Sequence, residues 1–129
     1  NAYFGERGGQ VICAPCLEGL RKVEDNFFSA ATLRSYLEHE SHPQEVLREL
    51  YRTLASDGVA IIKVPNYAAV NRMIMGSKWC GFRYPDHLNY FTPSSLRKMA
   101  ENCGYLVKST FTQRLPTSDN MYAILEKKN

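Results

Sequence analysis

A strand, a helix and a second strand follow one another in residues 27–64, and this order constrains the fold more than any other feature. Phe27 to Leu33 is an apolar run without alternation, typical of a strand buried on both faces. After His42-Pro43, apolar residues recur at the spacing of one helical face: Val46, Leu47, Leu50, Tyr51 and Leu54. Asp57-Gly58 predicts the end of this helix, and Val59 to Val64 a second strand. A helical crossover between two strands favours a parallel sheet, so the sequence predicts an α/β fold.

Shorter elements flank this unit. Gln10 to Ala14 is an apolar run that predicts a strand ended by Pro15. Leu17 to Lys22 predicts a helical turn, and Tyr67 to Met75 a further helical segment. The aromatic segment from Gly76 to Asn89 has the composition of a loop.

The last third of the chain predicts a helix followed by two strands. Thr92 has the position of an N-cap with Pro93 in the first turn, and Gly104 marks the end of that helix. Leu106 to Gln113 and Met121 to Lys127 then predict two antiparallel strands, joined by a turn that contains Pro116.

Composition limits the class of protein. A chain of 129 residues with 44% hydrophobic residues supports one folded domain. The net charge of +3 is spread along the chain, which argues against a nucleic-acid-binding surface. Apolar runs are too short for a membrane span, and residues 1–10 do not resemble a secretory signal. We therefore expect a cytoplasmic protein whose four cysteines are reduced.

Two groups of strings resemble class I S-adenosylmethionine-dependent methyltransferases. The strings are Leu37-Glu38-His39, His42-Pro43, Val46 to Leu54, Asp57-Gly58-Val59 and Val64-Pro65-Asn66, then Arg83 to Thr92, Ser95-Leu96 and Cys103-Gly104-Tyr105. The resemblance extends over about Gln10 to Lys127. It implies a partial Rossmann-like sheet, mostly parallel with a C-terminal antiparallel hairpin and helices on the faces. The strands would be the family's third to seventh, in a single truncated domain over residues 1–129.

The family's cofactor motifs are the main departure. Its first strand with the glycine-rich turn has no counterpart, since the Gly5, Gly8 and Gly9 string precedes a predicted strand instead of following one. The second strand, whose carboxylate holds the ribose hydroxyls of the cofactor in the family, is also missing. By position, the resemblance places S-adenosylmethionine near five residues, the first two at the adenine and the others at the methionine end: Cys16, Leu17, Thr32, Leu33 and Arg34.

Three functions remain open at this point. The resemblance implies methyl transfer from S-adenosylmethionine to a small-molecule acceptor. Alternatively, the chain is a catalytically incompetent fragment or homologue that acts as an interaction or oligomerisation module, and the missing strands then leave sheet edges through which a homodimer would form. A third interpretation is a protein-interaction module that uses the aromatic loop from Trp79 to Phe91.

His87 is the candidate general base, because an imidazole titrates near neutral pH and this loop lies on the expected acceptor side. The alternative is a packed histidine that holds Tyr84 and Tyr90 in place. Together with Trp79 and Phe82, these tyrosines form either a lid over the acceptor or a second small core.

Two spacings invite a metal interpretation, but we expect no metal site. Cys13-x-x-Cys16 and His39-x-x-His42 each supply one ligand pair, and a structural zinc needs four ligands. Two packed cysteines are the expectation for the first pair. The adjacent Glu38-His39 suggests acid-base chemistry, against the more ordinary interpretation that both residues organise the loop and cap the Pro43 helix.

Overall fold

A computed structural model describes residues 9–112 and 118–128, with the backbone alone for residues 110–112. The helices of the described chain are α1 Cys16–Arg21, α2 Pro43–Thr53, α3 Val70–Met75 and α4 Pro93–Asn102, with a 3-10 turn at Gly76–Lys78. Its strands are β1 Phe28–Arg34, β2 Leu54–Pro65, β3 Tyr105–Thr112 and β4 Asn120–Lys127. None of the helices in these two segments has the length and apolar character of a membrane span.

The β1–α2–β2 unit is the parallel crossover that the sequence predicts. β1 and β2 pair in parallel, in register from Ala30 opposite Val59 to Arg34 opposite Lys63. Helix α2 ends at Thr53, earlier than the predicted stop near Asp57-Gly58, because Leu54 already pairs with β1 and is fully buried.

Gly58 serves a different purpose from the one its position suggested. It lies inside β2, close to the irregular pairing at the start of β1. A Cβ atom on Gly58 would come within 3.0 Å of the carbonyl oxygens of Ala55 and Phe28. The close approach of backbone atoms therefore requires glycine here, within a strand instead of at a helix end.

The sheet order is β1-β2-β4-β3, and both pairings of β4 are antiparallel. The predicted C-terminal hairpin is thus confirmed, while its turn at Pro116 falls outside the described residues. Side chains from one face of β2 and β4 pack with the apolar faces of α2 and α4 in the core. They are Ala60, Ile62, Val64, Met121, Ala123 and Leu125.

Helix α4 begins and ends as predicted. Thr92 Oγ1 accepts a hydrogen bond from the Ser95 amide at 3.1 Å, and Ser95 Oγ accepts one from the Thr92 amide at 2.9 Å, which completes a capping box. After the helix, Gly104 adopts φ +95°, a conformation that favours glycine, and a Cβ atom there would come within 3.1 Å of the Tyr51 ring.

Two predictions at the N-terminal side are wrong. Gln10 to Ala14 is not a strand, and Val11 and Ile12 are about half exposed, at 50% and 49%. β1 is not buried on both faces, because only Leu33 among its side chains is buried. Both differences have one cause: among the described residues β1 pairs only with β2, so a strand next to it is lacking and it forms a sheet edge. The described sheet therefore holds the counterparts of the family's fourth to seventh strands.

Candidate functional site

A polar cleft of about 190 Å³ opens at the carboxyl ends of β1 and β2. Ser35 follows β1 directly and Pro65 ends β2, so the cleft lies where parallel α/β sheets commonly bind ligands. The other lining residues come from the loop after β1, the aromatic loop and the start of β4: Glu38, His39, Cys80, Gly81, Arg83, His87, Asp119 and Asn120.

Backbone hydrogen bonds join the loop after β1 to the aromatic loop. The carbonyl oxygen of Glu38 accepts from the amides of Leu88 at 2.8 Å and Asn89 at 3.0 Å. Asn89 Nδ2 donates in return to the carbonyl oxygens of Leu37 at 3.2 Å and Glu40 at 2.6 Å. These bonds connect segments that are about fifty residues apart in sequence, and they bring His87 beside Glu38.

Glu38, His39 and His87 form what we call the carboxylate–histidine cluster. One possible ligand atom from each residue lies within 4.8 Å of the others. The two imidazole rings meet edge to face with centroids 4.7 Å apart. Glu38 is 2% exposed and His87 is 5% exposed, while His39 is half-buried, so the cluster lies at the inner wall of the polar cleft.

Both histidines are held by backbone carbonyl groups. His87 Nδ1 lies 2.8 Å from the carbonyl oxygen of Gly81, and His39 Nδ1 lies 2.8 Å from that of Asp86. A carbonyl oxygen only accepts hydrogen bonds, so in each neutral ring Nδ1 carries the proton and Nε2 keeps a lone pair. Both rings thus present a basic nitrogen.

The Glu38 carboxylate has no such support. Its Oε2 atom is buried and has no hydrogen-bond partner among the described residues. Its Oε1 atom lies 3.9 Å from His39 Nε2, which is too long for a hydrogen bond. The expectation that Glu38 and His39 cap the Pro43 helix is wrong, since His42 is its N-cap residue and no side chain caps it. The expectation that they organise the loop is met by the Glu38 carbonyl group and by His39 Nδ1, which bonds to the Asp86 carbonyl oxygen.

The aromatic residues separate into two environments. Tyr67, Trp79, Phe82 and Tyr90 form an aromatic cluster with ring centroids 5.4–6.3 Å apart. Trp79 is 1% exposed, so this cluster has the character of the second small core, not of a lid. Tyr84 lies outside it and is 84% exposed.

Trp79 is tied to the hairpin side of the polar cleft. Its Nε1 donates to Asp119 Oδ1 at 2.7 Å, and Asp119 Oδ2 accepts from Asn71 Nδ2 at 3.3 Å. The Cys80 thiol lies 3.6 Å from the same oxygen. Burial, together with this carboxylate, raises the pKa of the Cys80 thiol. Asp119 therefore connects the aromatic cluster to the cleft wall, a role with no signal in the sequence.

A second opening, the apolar groove of about 270 Å³, contains three of the five predicted cofactor residues. Cys16, Thr32 and Leu33 line it together with residues of α1, β1 and α2. Leu17 instead packs partly buried against the core, and Arg34 is exposed at the end of β1. The structure thus brings Cys16, Thr32 and Leu33 together and separates Arg34 from them.

The cysteine pair does not form one packed unit. Cys13 is exposed because Gln10 to Ala14 is not a strand, so the expectation of two packed cysteines is wrong for Cys13. Burial raises the pKa of the Cys16 thiol, against an opposing hydrogen bond from Tyr36. The His39-x-x-His42 spacing is not a ligand pair either, because His42 bonds to Ser41 while His39 faces His87.

The sequence predicts the carboxylate–histidine cluster only in part. The string Glu38-His39 and the residue His87 are each visible in the sequence, but no local spacing links them. The link is the pairing of Leu88 and Asn89 with Glu38, which is a tertiary contact.

The fold and the cleft define a class: an α/β domain of Rossmann-like topology with a polar cleft at the carboxyl ends of its parallel strands. The model of a methyltransferase domain family matches residues 14–110. The chain therefore belongs to this methyltransferase domain family. No curated protein matches it significantly.

Solved structures with similar folds include a SAM-dependent methyltransferase, possible histamine N-methyltransferase, from Thermotoga maritima, at 17% identity and a TM-score of 0.72, covering 96% of this chain and 67% of that one. A SAM-dependent methyltransferase from Archaeoglobus fulgidus has 15% identity and a TM-score of 0.74, over 98% and 71%. The 1,6-didemethyltoxoflavin-N1-methyltransferase of Burkholderia thailandensis, with bound 1,6-didemethyltoxoflavin and S-adenosylhomocysteine, has 14% identity and a TM-score of 0.71, over 99% and 56%. These likenesses establish the fold, and the chain spans between half and three quarters of each relative.

Proposed function

We propose that this chain takes part in methyl transfer from S-adenosylmethionine to a small-molecule acceptor, which binds in the polar cleft. One observation carries the proposal: in a methyltransferase-family fold, the cleft lies at the carboxyl ends of β1 and β2. Its volume of about 190 Å³ is below the roughly 300–1,000 Å³ of pockets for drug-sized ligands, which favours a small acceptor.

S-adenosylmethionine, when bound, supplies the electrophilic methyl group, so the protein's task is to align the acceptor, exclude water and remove a proton. His87 suits the last task for a hydroxyl acceptor. Its Nδ1 lies 2.8 Å from the Gly81 carbonyl oxygen, to which it donates, so the lone pair of the neutral ring is on Nε2 and can accept a proton. The buried Glu38 carboxylate beside the histidines would stabilise the positive charge formed in the cluster.

The apolar groove fits only part of the cofactor. Its walls, including Cys16, Thr32 and Leu33, suit an adenine ring. None of its described lining residues is acidic, so the groove offers no carboxylate for the ribose hydroxyls. We therefore assign the acceptor side to this chain and give it no step that depends on a complete cofactor site.

Two measurements test the proposal. Calorimetric titration of the chain with S-adenosylmethionine and with S-adenosylhomocysteine tests cofactor binding, and transfer of a labelled methyl group to a panel of small alcohols, phenols and amines tests the reaction. We expect His87→Asn to lower the rate with hydroxyl acceptors by about 10²-fold, in the usual range for loss of a general base, while cofactor binding is kept. His42→Asn is the matched control, since His42 lies outside the cluster. If millimolar cofactor produces neither binding heat nor a thermal shift, an activity of this chain is contradicted.

The edge of β1 favours the alternative function as an oligomerisation module. β1 pairs with a strand on one side only within the described residues, and Phe27 next to it is 64% exposed. Such an edge can pair with a second copy of the chain. Light scattering distinguishes the two proposals: a stable dimer that binds no cofactor supports the module, and a monomer at all concentrations contradicts it.

A further inference from the structure

We propose that Glu38, His39 and His87 bind a divalent transition-metal ion at the inner wall of the polar cleft. One potential ligand atom from each residue lies within 4.8 Å of those of the other two. In a tetrahedral site, ligand atoms bound at about 2.0–2.2 Å from one ion lie about 3.3–3.6 Å from one another. Side-chain rotations that move each atom inward by about 1 Å or less bring all three to this spacing around a single ion.

The hydrogen bonds of the two imidazoles match those of metal-bound histidines. Such histidines usually donate the proton of the second ring nitrogen to a carbonyl or carboxylate, which fixes the ring and keeps the other nitrogen as a ligand. Here the Gly81 and Asp86 carbonyl oxygens hold the two Nδ1 atoms at 2.8 Å each. Each Nε2 is thereby prepared as a ligand atom before any ion binds.

The buried Glu38 carboxylate independently indicates a cation. Glu38 is 2% exposed, its Oε2 lacks any hydrogen-bond partner in the described chain, and its Oε1 has only His39 Nε2 at 3.9 Å. A buried charge without a partner is strongly unfavourable, and a bound cation would compensate it. Arg83 lines the cleft but does not compensate Glu38, because its guanidinium pairs with Asp86 at 3.7 Å at the exposed rim.

The donor set indicates the kind of ion. Two imidazole nitrogens with one carboxylate oxygen suit Fe²⁺, Co²⁺ or Zn²⁺, whereas Mg²⁺ and Ca²⁺ prefer oxygen ligands. Three protein ligands also leave coordination positions open toward the cleft, as in catalytic metal sites. If the proposed methyl transfer holds, an acceptor hydroxyl would occupy an open position, where the ion would lower its pKa. Its proton would then pass to water in the cleft, and His87 would act as a ligand instead of as the base.

Metal binding by the full chain is the test. After chelator treatment and dialysis, Co²⁺ is added and followed by visible absorption, and Zn²⁺ by calorimetry. We expect one ion per chain, and at least a tenfold loss of affinity in Glu38→Gln and in His87→Asn. His42→Asn, as control, keeps the affinity of the original chain. Equal affinity in all four proteins, or a folded chain that binds neither ion, overturns the proposal.

Thermal unfolding provides a second readout that does not depend on activity. Zn²⁺ at one hundred times its dissociation constant should raise the melting temperature of the original chain by about 10 °C. Glu38→Gln should melt higher than the original chain when both are metal-free, because the uncompensated charge is gone, and should gain little from Zn²⁺. A Glu38→Gln protein that Zn²⁺ stabilises as strongly as the original chain contradicts the site.

The experiments distinguish a failure of the proposed metal site from a failure of the proposed methyl transfer. Binding of Zn²⁺ without methyl transfer supports the metal site and counts against the proposed function. Methyl transfer by a chain that binds no ion overturns the site and leaves the methyltransferase in place, with His87 as the base.

Discussion

The hydrogen bond between Trp79 and Asp119 should determine how firmly the aromatic cluster is attached to the sheet. Trp79 Nε1 donates to Asp119 Oδ1 at 2.7 Å, and the indole is 1% exposed. In Asp119→Ala the buried N–H loses a charged acceptor, which costs about 1.5–3 kcal/mol in the free energy of unfolding. For 129 residues the unfolding entropy is about 0.27 kcal/mol/K, so a loss of 2 kcal/mol lowers the melting temperature by about 7 °C.

Two assays measure this loss. Circular dichroism gives the melting temperature, and the emission of Trp79, the single tryptophan of the sequence, reports its surroundings directly. Asp119→Asn keeps an oxygen acceptor and should lose about half as much. Asp57→Ala, which removes an exposed carboxylate, serves as the control. If Asp119→Ala and Asp57→Ala unfold at the same temperature with unchanged emission, the assignment of this bond as a structural tether is refuted.

Three further predictions concern the core, a helix end and the thiols. Tyr105→Phe removes a buried hydroxyl that donates to the Leu47 carbonyl at 3.0 Å, and should cost about 1 kcal/mol in urea unfolding. Thr92→Ala removes the acceptor of the α4 capping box and should also cost about 1 kcal/mol. Burial raises the pKa of the Cys103 thiol, so at pH 8 Cys103 should react with a thiol reagent far more slowly than the exposed Cys13, as mass spectrometry of the labelled peptides measures.

Each of these has a matched control. Tyr84→Phe, at an 84% exposed ring, should leave the unfolding free energy unchanged, and an equal loss in both tyrosine variants argues against the Leu47 bond. Thr92→Ser keeps the hydroxyl and should retain most of the stability. In denaturant the cysteines should react at similar rates. If Cys103 reacts with the thiol reagent as fast as Cys13 in the folded chain, the burial of Cys103 is contradicted.

Local physical rules were enough to predict most elements of the fold. The helical spacing around Val46 and Leu50 and the cap at Thr92 are properties of short segments, and both helices begin where the sequence predicts. The hairpin of β3 and β4 follows from two apolar runs in the same way. Gln10 to Ala14 shows the limit of such rules, because an apolar run becomes a strand only when another strand is beside it.

Neighbours across the sheet decided the elements that sequence rules misplaced. Helix α2 stops at Thr53 because Leu54 already pairs with Phe28 of β1. β1 looked like a central strand, yet its burial depends on what lies on each side, and in the described chain it is an edge. Neither fact is encoded within the segment itself.

The sequence by itself determined the α/β class, the helix starts at His42-Pro43 and Thr92-Pro93, and the likeness to methyltransferases, because all three depend on short strings of residues and on their order along the chain. The tertiary structure alone decided the site. Hydrogen bonds from Leu88 and Asn89 to the Glu38 carbonyl bring His87 to a carboxylate forty-nine positions away, and loop closure over that distance leaves no periodic signal. The carboxylate–histidine cluster therefore follows from the tertiary contact between the two loops and not from the sequence of either loop.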